Sequence, residues 1–293
     1  MKEVLKEYNQ LVDNELSDHL KEQDQNSRLI YESMQYSIFA GGKRLRPVLL
    51  MATHKLFSKD LSKALPFAAA IEMIHTYSLI HDDLPAMDDD DYRRGKLTNH
   101  KVFGEGMAVL AGDGLLNKAY EVMLREVVES SNPLVAGKAA KTISDAAGVR
   151  GMIGGQVADI LSENREISAK ELDYIHAHKT GALIEAAMVS GAILSGAEQK
   201  DIENMGQVGR NLGLAFQIKD DILDIVGDEK QLGKQVGSDV AKEKSTYPKL
   251  YGLEACKKMI QELTEESNII LDQYLPNSGF LKELNNYLMD REN

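Results

Sequence analysis

The feature that most constrains this chain is a long run without proline. Pro133 and Pro248 are separated by 114 residues that contain none, and the whole chain has only six prolines. Proline breaks helices and deletes a ladder bond from sheets, so its absence leaves long stretches free to stay hydrogen-bonded. Those stretches are rich in Ala, Leu, Ile, Met, Glu and Lys, which favour helix. Aromatic residues make up 6% of the chain and Trp is absent. No Asn-Gly or Asp-Gly turn sits between alternating runs, so hairpin signals are missing. Residues Leu65, Ala68, Ala69, Ile71, Ile74, Tyr77 and Ser78 recur at three and four, the helical rhythm. From Leu212 to Val226 the apolar residues are denser, which predicts a helix buried on most sides. The expected fold class is all-α, with ten or more helices. Gly41-Gly42 followed by Pro47, Ser131-Asn132-Pro133, and Pro276-Asn277-Ser278-Gly279 mark breaks between helices. No Ser/Gly linker and no shift in composition divides the chain, so a single domain over residues 1–293 is expected.

Charge narrows the function. The chain carries 34 basic and 46 acidic residues, a net charge of −12. Asp82, Asp83, Asp88, Asp89, Asp90 and Asp91 form one cluster, and Asp220, Asp221 and Asp224 another. Without these nine aspartates the charge would be −3, so two short segments hold three quarters of it. Solubility alone does not require that concentration. An acidic chain without a Lys/Arg block argues against nucleic acid and anionic membranes as partners. Cys256 is the only cysteine, so no internal disulfide can form. The charged N-terminal stretch reads as neither signal peptide nor membrane span, and a cytoplasmic protein is expected.

The first cluster contains Asp82-Asp83-Leu-Pro-Ala-Met-Asp88. In an unbroken helix, Asp88 would point well away from Asp82. Pro85 disfavours the helical conformation before it, so the chain can loosen and bring Asp88 back. Carboxylates gathered at one helix end repel unless a hard cation intervenes. Mg²⁺ suits them, because it takes few carboxylates, keeps waters and binds substrate phosphates. Alone, such a run reads more readily as a solvated acidic loop. In the second cluster Asp220 and Asp224 lie four apart on one helical face, with Gln217 one turn earlier. Ala215, Phe216, Ile218, Ile222 and Leu223 flank them, which makes burial without a cation costly. The runs Glu72 to Asp83 and Arg210 to Asp221 both end an apolar helix in Asp-Asp, which suggests two helices facing across a central cavity.

Cations surround both motifs. Lys43, Arg44 and Arg46 come from a Gly-Gly turn before a helix, where free N–H groups add to an anion site. Arg93-Arg94 follows the first cluster, Lys179-Thr180 lies in His-Ala-His-Lys-Thr-Gly, and Lys234 and Lys244 follow the second cluster. Each alone could be a surface charge; together they favour an anion site. A Walker loop, a GxSxG elbow and a Rossmann fingerprint are absent. His176 and His178, two apart, fit no helical zinc pair. The chemistry must then come from metals, a diphosphate and positioning.

These blocks resemble a known family. GGKRLRP, HxxSLIHDDLPAMDxDDxRRG, GGQxxD, HKTG, FQIKDDILD and GxxxGSD…KxTYP resemble the trans-isoprenyl diphosphate synthases, from about Lys43 to Pro248. The two extra residues in the first motif, with Pro-Ala-Met inside, look like the bacterial and plastid branch. The resemblance implies a single all-α domain with helices around a deep central cavity, and a homodimer. It also implies prenyl transfer: isopentenyl diphosphate condenses with dimethylallyl or geranyl diphosphate through an allylic carbocation. Asp82, Asp88 and Asp220 resemble the metal ligands, with Asp224 assisting. They would hold Mg²⁺, three ions per site, with Mn²⁺ as a possible substitute. Lys43, Arg46, His75 and Arg94 match the isopentenyl diphosphate site. Arg93, Lys179, Thr180, Gln217 and Lys234 match the allylic diphosphate site, so Arg93 and Lys179 join the aspartates as catalytic candidates. His75 could instead be a satisfied core histidine.

Tyr77 and Ser78, five and four residues before Asp82, would form the cavity floor one to two turns below the metals. In the resembling family an aromatic residue five before the first Asp goes with a fifteen-carbon product, farnesyl diphosphate. Tyr77 could also merely pack between helices. Rival readings are a twenty-carbon synthase, a class I terpene cyclase and a non-catalytic partner subunit. A cyclase would need an NSE-type second motif and no GGKRLRP, and a silent subunit often loses its Asp motifs.

Overall fold

The computed structural model describes residues 1–293 except 23, 164, 227–245 and 291–293. Among the described residues there are fourteen α-helices, a π-helical turn and a small hairpin. The helices are α1 (Lys2–His19), α2 (Arg28–Ile38), α3 (Leu45–Phe57), α4 (Leu65–Asp82), α5 (Asn99–Phe103), α6 (Glu105–Glu129) and α7 (Pro133–Ala147). They continue as α8 (Met152–Ser162), α9 (Ala169–Ile175), α10 (Ala182–Ser195), α11 (Gln199–Val226), α12 (Tyr247–Tyr251), α13 (Leu253–Asp272) and α14 (Gly279–Asp290). The π turn, His176–Gly181, joins α9 to α10 without a break.

The turn chemistry works as the sequence implies. Asn132 caps α7 by accepting from the Val135 N–H, with Pro133 opening the helix. Ser168 and Glu171 form a capping box at α9. α4 is apolar all round and buried from Pro66 to Ile74, so it is a central helix rather than a surface one. Each fully buried Ile or Met there stabilises the fold by about 1.5–3 kcal/mol. α3 and α10 are buried in the same way, and α4 packs on α3 and α6 while α10 packs on α3, α7 and α11. One contiguous apolar cluster runs from Tyr8 on α1 to Met289 on α14. No helix among the described residues is long and apolar enough to cross a membrane.

Two features depart from the sequence reading. Arg44, one of the three bases in the Gly-Gly turn, points inward and is 5% exposed. It pairs with Glu72 at 2.9 Å and Asp13 at 2.9 Å and donates to the Ile38 carbonyl at 2.6 Å. It is a strut between α1, α2 and α4, and the anion site loses it. The all-α chain also contains a hairpin, with Tyr92–Arg93 pairing antiparallel to Lys96–Leu97. Its turn residues Arg94 and Gly95 both have positive φ, 53° and 75°, as a tight primed turn requires. An Arg-Gly pair makes this turn, which the Asn-Gly and Asp-Gly signals do not cover.

Candidate active site

The end of α4 sets the site. Pro85 stops the helix, and the chain doubles back so that the Asp88 N–H donates to the Asp82 carbonyl at 2.9 Å. The return of Asp88 that Pro85 implies is therefore present. Burial raises the Asp82 carboxyl above the usual carboxylate range; Lys179 offsets this, and the nearby Asp88 adds to it. A cation beside Asp82 would relieve both costs.

Within each Asp-Asp pair the two residues divide their work. Asp82 and Asp220 are half-buried, whereas Asp83 and Asp221 are each 3% exposed and tied to protein. Asp83 accepts from Arg93 at 2.6 Å, and burial alone would lower the Arg93 pKa, yet this carboxylate holds it above its ordinary value. Asp221 accepts from the Tyr247 backbone N–H at 3.0 Å and from Gln217 at 3.3 Å, with His176 at 3.4 Å. Asp224 is 2% exposed on the same helix.

A cavity of about 340 Å³ opens beside Asp82. It brings together Arg46, His75, Tyr77, Ser78, Asp82, Lys179 and Thr180, all candidates from the sequence. Apolar side chains of α8, Met152, Ile153, Val157 and Ile160, line it as well. Tyr77 is buried, and burial, with Tyr120 and Asp82 nearby, pushes its phenol up to about 12. The second motif joins through Gln217, whose Oε1 accepts from Thr180 Oγ1 at 3.0 Å. The π turn thus ties the cavity wall to α11, packing on both α8 and α11.

The cations form a second layer. Burial lowers the Arg46 pKa to about 10; Glu72 and Asp220 counter this and Arg94 adds to it. Arg46 remains charged at neutral pH and links the two acidic helices electrostatically. Its Nε–H is buried without a hydrogen-bond partner, an arrangement that costs about 1–3 kcal/mol unless an acceptor arrives. Burial, with Arg46, Arg94, Arg93 and Arg44 around it, holds His75 well below the ordinary histidine range. His75 is therefore neutral at pH 7 and can donate to an anion without adding charge. Arg94 reaches back to the Gly41 carbonyl and lies over Gly42. A Cβ on Gly42 would come within 2.6 Å of the Arg94 guanidinium, and its φ of 130° also excludes other residues. Lys43 lies in that same turn, exposed. Arg93 faces Asp83 and Asp90 rather than the main cavity. Lys234 and Lys244 lie outside the described residues.

Sequence reasoning gives no role to Asp159, the last residue of the GGQxxD block. Here its Oδ2 accepts from Lys179 Nζ at 2.7 Å. Gly155 of the same block lets α8 meet the π turn, since a Cβ there would lie 2.1 Å from the Lys179 nitrogen. The block itself was the available signal. Among the described residues no three acidic, histidine or cysteine side chains are gathered as a ready-made metal cluster. Asp82 and Asp88 offer a partial set of hard oxygen donors, which suits an ion that completes its shell with waters and substrate phosphate.

The chain is similar to known proteins over most of its length. The family described as polyprenyl synthetase matches residues 27–272. The chain is 43% identical to farnesyl diphosphate synthase of Bacillus subtilis over 281 residues, covering 96% of this chain and 95% of that one. It is 47% identical to geranylgeranyl diphosphate synthase of Cyanophora paradoxa over 243 residues, covering 83% and 81%. The crystal structure of an FPP/GFPP synthase from Zymomonas mobilis superimposes with a TM-score of 0.88 at 33% identity, covering 98% of each chain.

Proposed function

This chain belongs to the polyprenyl synthetase family, and we propose that it is a prenyltransferase that makes farnesyl diphosphate from isopentenyl diphosphate and dimethylallyl or geranyl diphosphate. The observation that carries the reading is the single cavity that places Asp82, Arg46, His75, Lys179 and Thr180 around one space, with Tyr77 in its wall. Polar groups at one end suit a diphosphate, and the apolar side chains of α8 suit a prenyl tail.

In this reading Asp82, Asp88, Asp220 and Asp224 hold divalent ions, Mg²⁺ by preference. When bound, they supply Lewis-acid stabilisation of the departing diphosphate. Lys179 adds charge where the leaving oxygen becomes negative, which favours the transition state over the ground state, while Arg93, paired with Asp83, stands behind the first acidic motif. The allylic C–O bond breaks with its electron pair leaving on pyrophosphate, and an allylic carbocation remains. Thr180, held by Gln217, presents its hydroxyl near that cation. Lys43, Arg46, His75 and Arg94 hold isopentenyl diphosphate, whose terminal alkene carbon attacks the cation. A proton then leaves to the released pyrophosphate, so no side chain need act as base.

Tyr77 favours a fifteen-carbon limit. The relative named for geranylgeranyl diphosphate keeps the twenty-carbon reading as the alternative. Exposed apolar side chains on α5 and α6, Val102, Leu110, Leu124 and Val128, support a homodimer through this face. The test is incubation with Mg²⁺, isopentenyl diphosphate and each allylic starter, with products sized by chromatography. Farnesyl diphosphate as the main product is expected. No condensation with any starter would overturn the reading.

A further inference from the structure

His81 is the residue before Asp82 and lines the cavity together with Tyr77. Its ring meets the Tyr77 ring edge-on, with centroids 5.8 Å apart at 77°. Its Nε2 lies 3.1 Å from the Val109 carbonyl on α6, so an Nε2–H donates there and fixes the ring's direction. The ring can occupy this place only because position 112 has no side chain. A Cβ on Gly112 would fall 2.1 Å from Nε2 and 2.5 Å from Cδ2. Gly112 sits inside the 25-residue helix α6, buried and with ordinary helical backbone. Glycine there costs about 1 kcal/mol against alanine and gains nothing from its freedom of φ. The space for the imidazole is the reason the structure shows for it.

We propose that Gly112 is a specificity-determining position: it seats the His81 ring beside Tyr77, and any side chain there drives the ring into the cavity and shortens the product. α4 is packed behind His81, Tyr77 lies one turn below, and the new Cβ would close the α6 side. The cavity is the space left for the ring. An imidazole is comparable in bulk to one five-carbon unit, so the limit moves by one condensation. Gly112 and His81 are positioning residues, and neither need touch the diphosphates. The inference rests on the reading of this cavity as the place of the prenyl tail.

The experiment compares wild type, Gly112→Ala, His81→Ala and the double variant, each checked for helix content, with isopentenyl diphosphate and both allylic starters. Gly112→Ala should move the main product from fifteen carbons to ten. His81→Ala removes the edge that braces Tyr77 and should raise the share of twenty-carbon product. The double variant has no ring to displace and should make product no shorter than wild type. A folded, active Gly112→Ala enzyme with the wild-type product would overturn the proposal. So would a double variant as short as Gly112→Ala alone. If Gly112→Ala does not fold, His81→Ala decides, and an unchanged product from it counts against the device. A Tyr77→Ala enzyme that still stops at fifteen carbons overturns the floor reading and not this one, since the Gly112→Ala shift is read relative to wild type.

Discussion

Lys179 and Asp159 form an ion pair, 2.7 Å from Nζ to Oδ2, that ties the π turn to α8 at the wall of the cavity. The pair is mostly buried, so it aims the ammonium as well as neutralising it. Asp159→Asn should loosen Lys179 and cost about 1 kcal/mol of allylic diphosphate binding, roughly a fivefold rise in its Michaelis constant. Steady-state kinetics with each substrate varied would check this. An unchanged constant for the allylic substrate would remove Asp159 from the site.

Activity should require Mg²⁺ or Mn²⁺. Asp82 is already penalised by burial and by Asp88, and a substrate diphosphate would add further like charge. Asp82→Ala or Asp220→Ala should lower turnover by several orders of magnitude with circular dichroism unchanged. Full activity in excess EDTA would refute it.

The two diphosphate sites should separate on mutation. Arg46→Ala should raise the Michaelis constant for isopentenyl diphosphate more than for geranyl diphosphate, and Lys179→Ala the reverse. Losing one charge-assisted contact costs about 1.5–3 kcal/mol, or roughly ten- to a hundredfold. If Arg46→Ala weakened only the allylic substrate, the assignment would have to be exchanged.

Tyr77→Ala should lengthen the product toward twenty carbons, because the ring that closes the cavity is gone. Truncating a buried aromatic costs about 3–5 kcal/mol, so the melting temperature should fall as well. Chromatographic sizing and a thermal melt on one preparation read both effects.

His75 should make stability depend on pH. Its folded pKa lies well below 6.5, since burial and four arginines oppose the charged ring. Unfolded chains take up that proton as pH falls below about 6.5, and the folded protein does not. Stability from this group is therefore complete above that pH and lost below it, at up to about 1.4 kcal/mol per pH unit. His75→Asn should flatten the difference in melting temperature between neutral and mildly acidic buffer. An equal difference in both proteins would show that His75 does not contribute.

Much of the site is legible in the sequence because its parts are local. Pro85 predicts the return of Asp88, and the Asp88 to Asp82 hydrogen bond shows it. The spacing of Tyr77, Ser78 and Asp82 on one helix places all three on the cavity wall. What the sequence could not show depends on partners far along the chain. Arg44 reads as a third anion-binding base until Glu72 and Asp13 bury it. Arg93 reads as a free cation until the hairpin turns it onto Asp83. Asp159 pairs across 20 residues, and no periodicity links it to Lys179. The hairpin and the π turn are too short for any repeat to reveal them.

The π turn at His176–Gly181 makes the site depend on counting as well as on chemistry. Such a turn holds one residue more than an α-helical turn. Deleting Ala177 would keep every functional side chain and restore a regular helix. Each residue of an α-helix advances the direction of its side chains by about 100°, so α9 and everything before it in this segment would meet Lys179 and Thr180 out of phase. A single lost codon could therefore silence the site without changing one of its residues, and a single gained codon in a plain helix could have opened it.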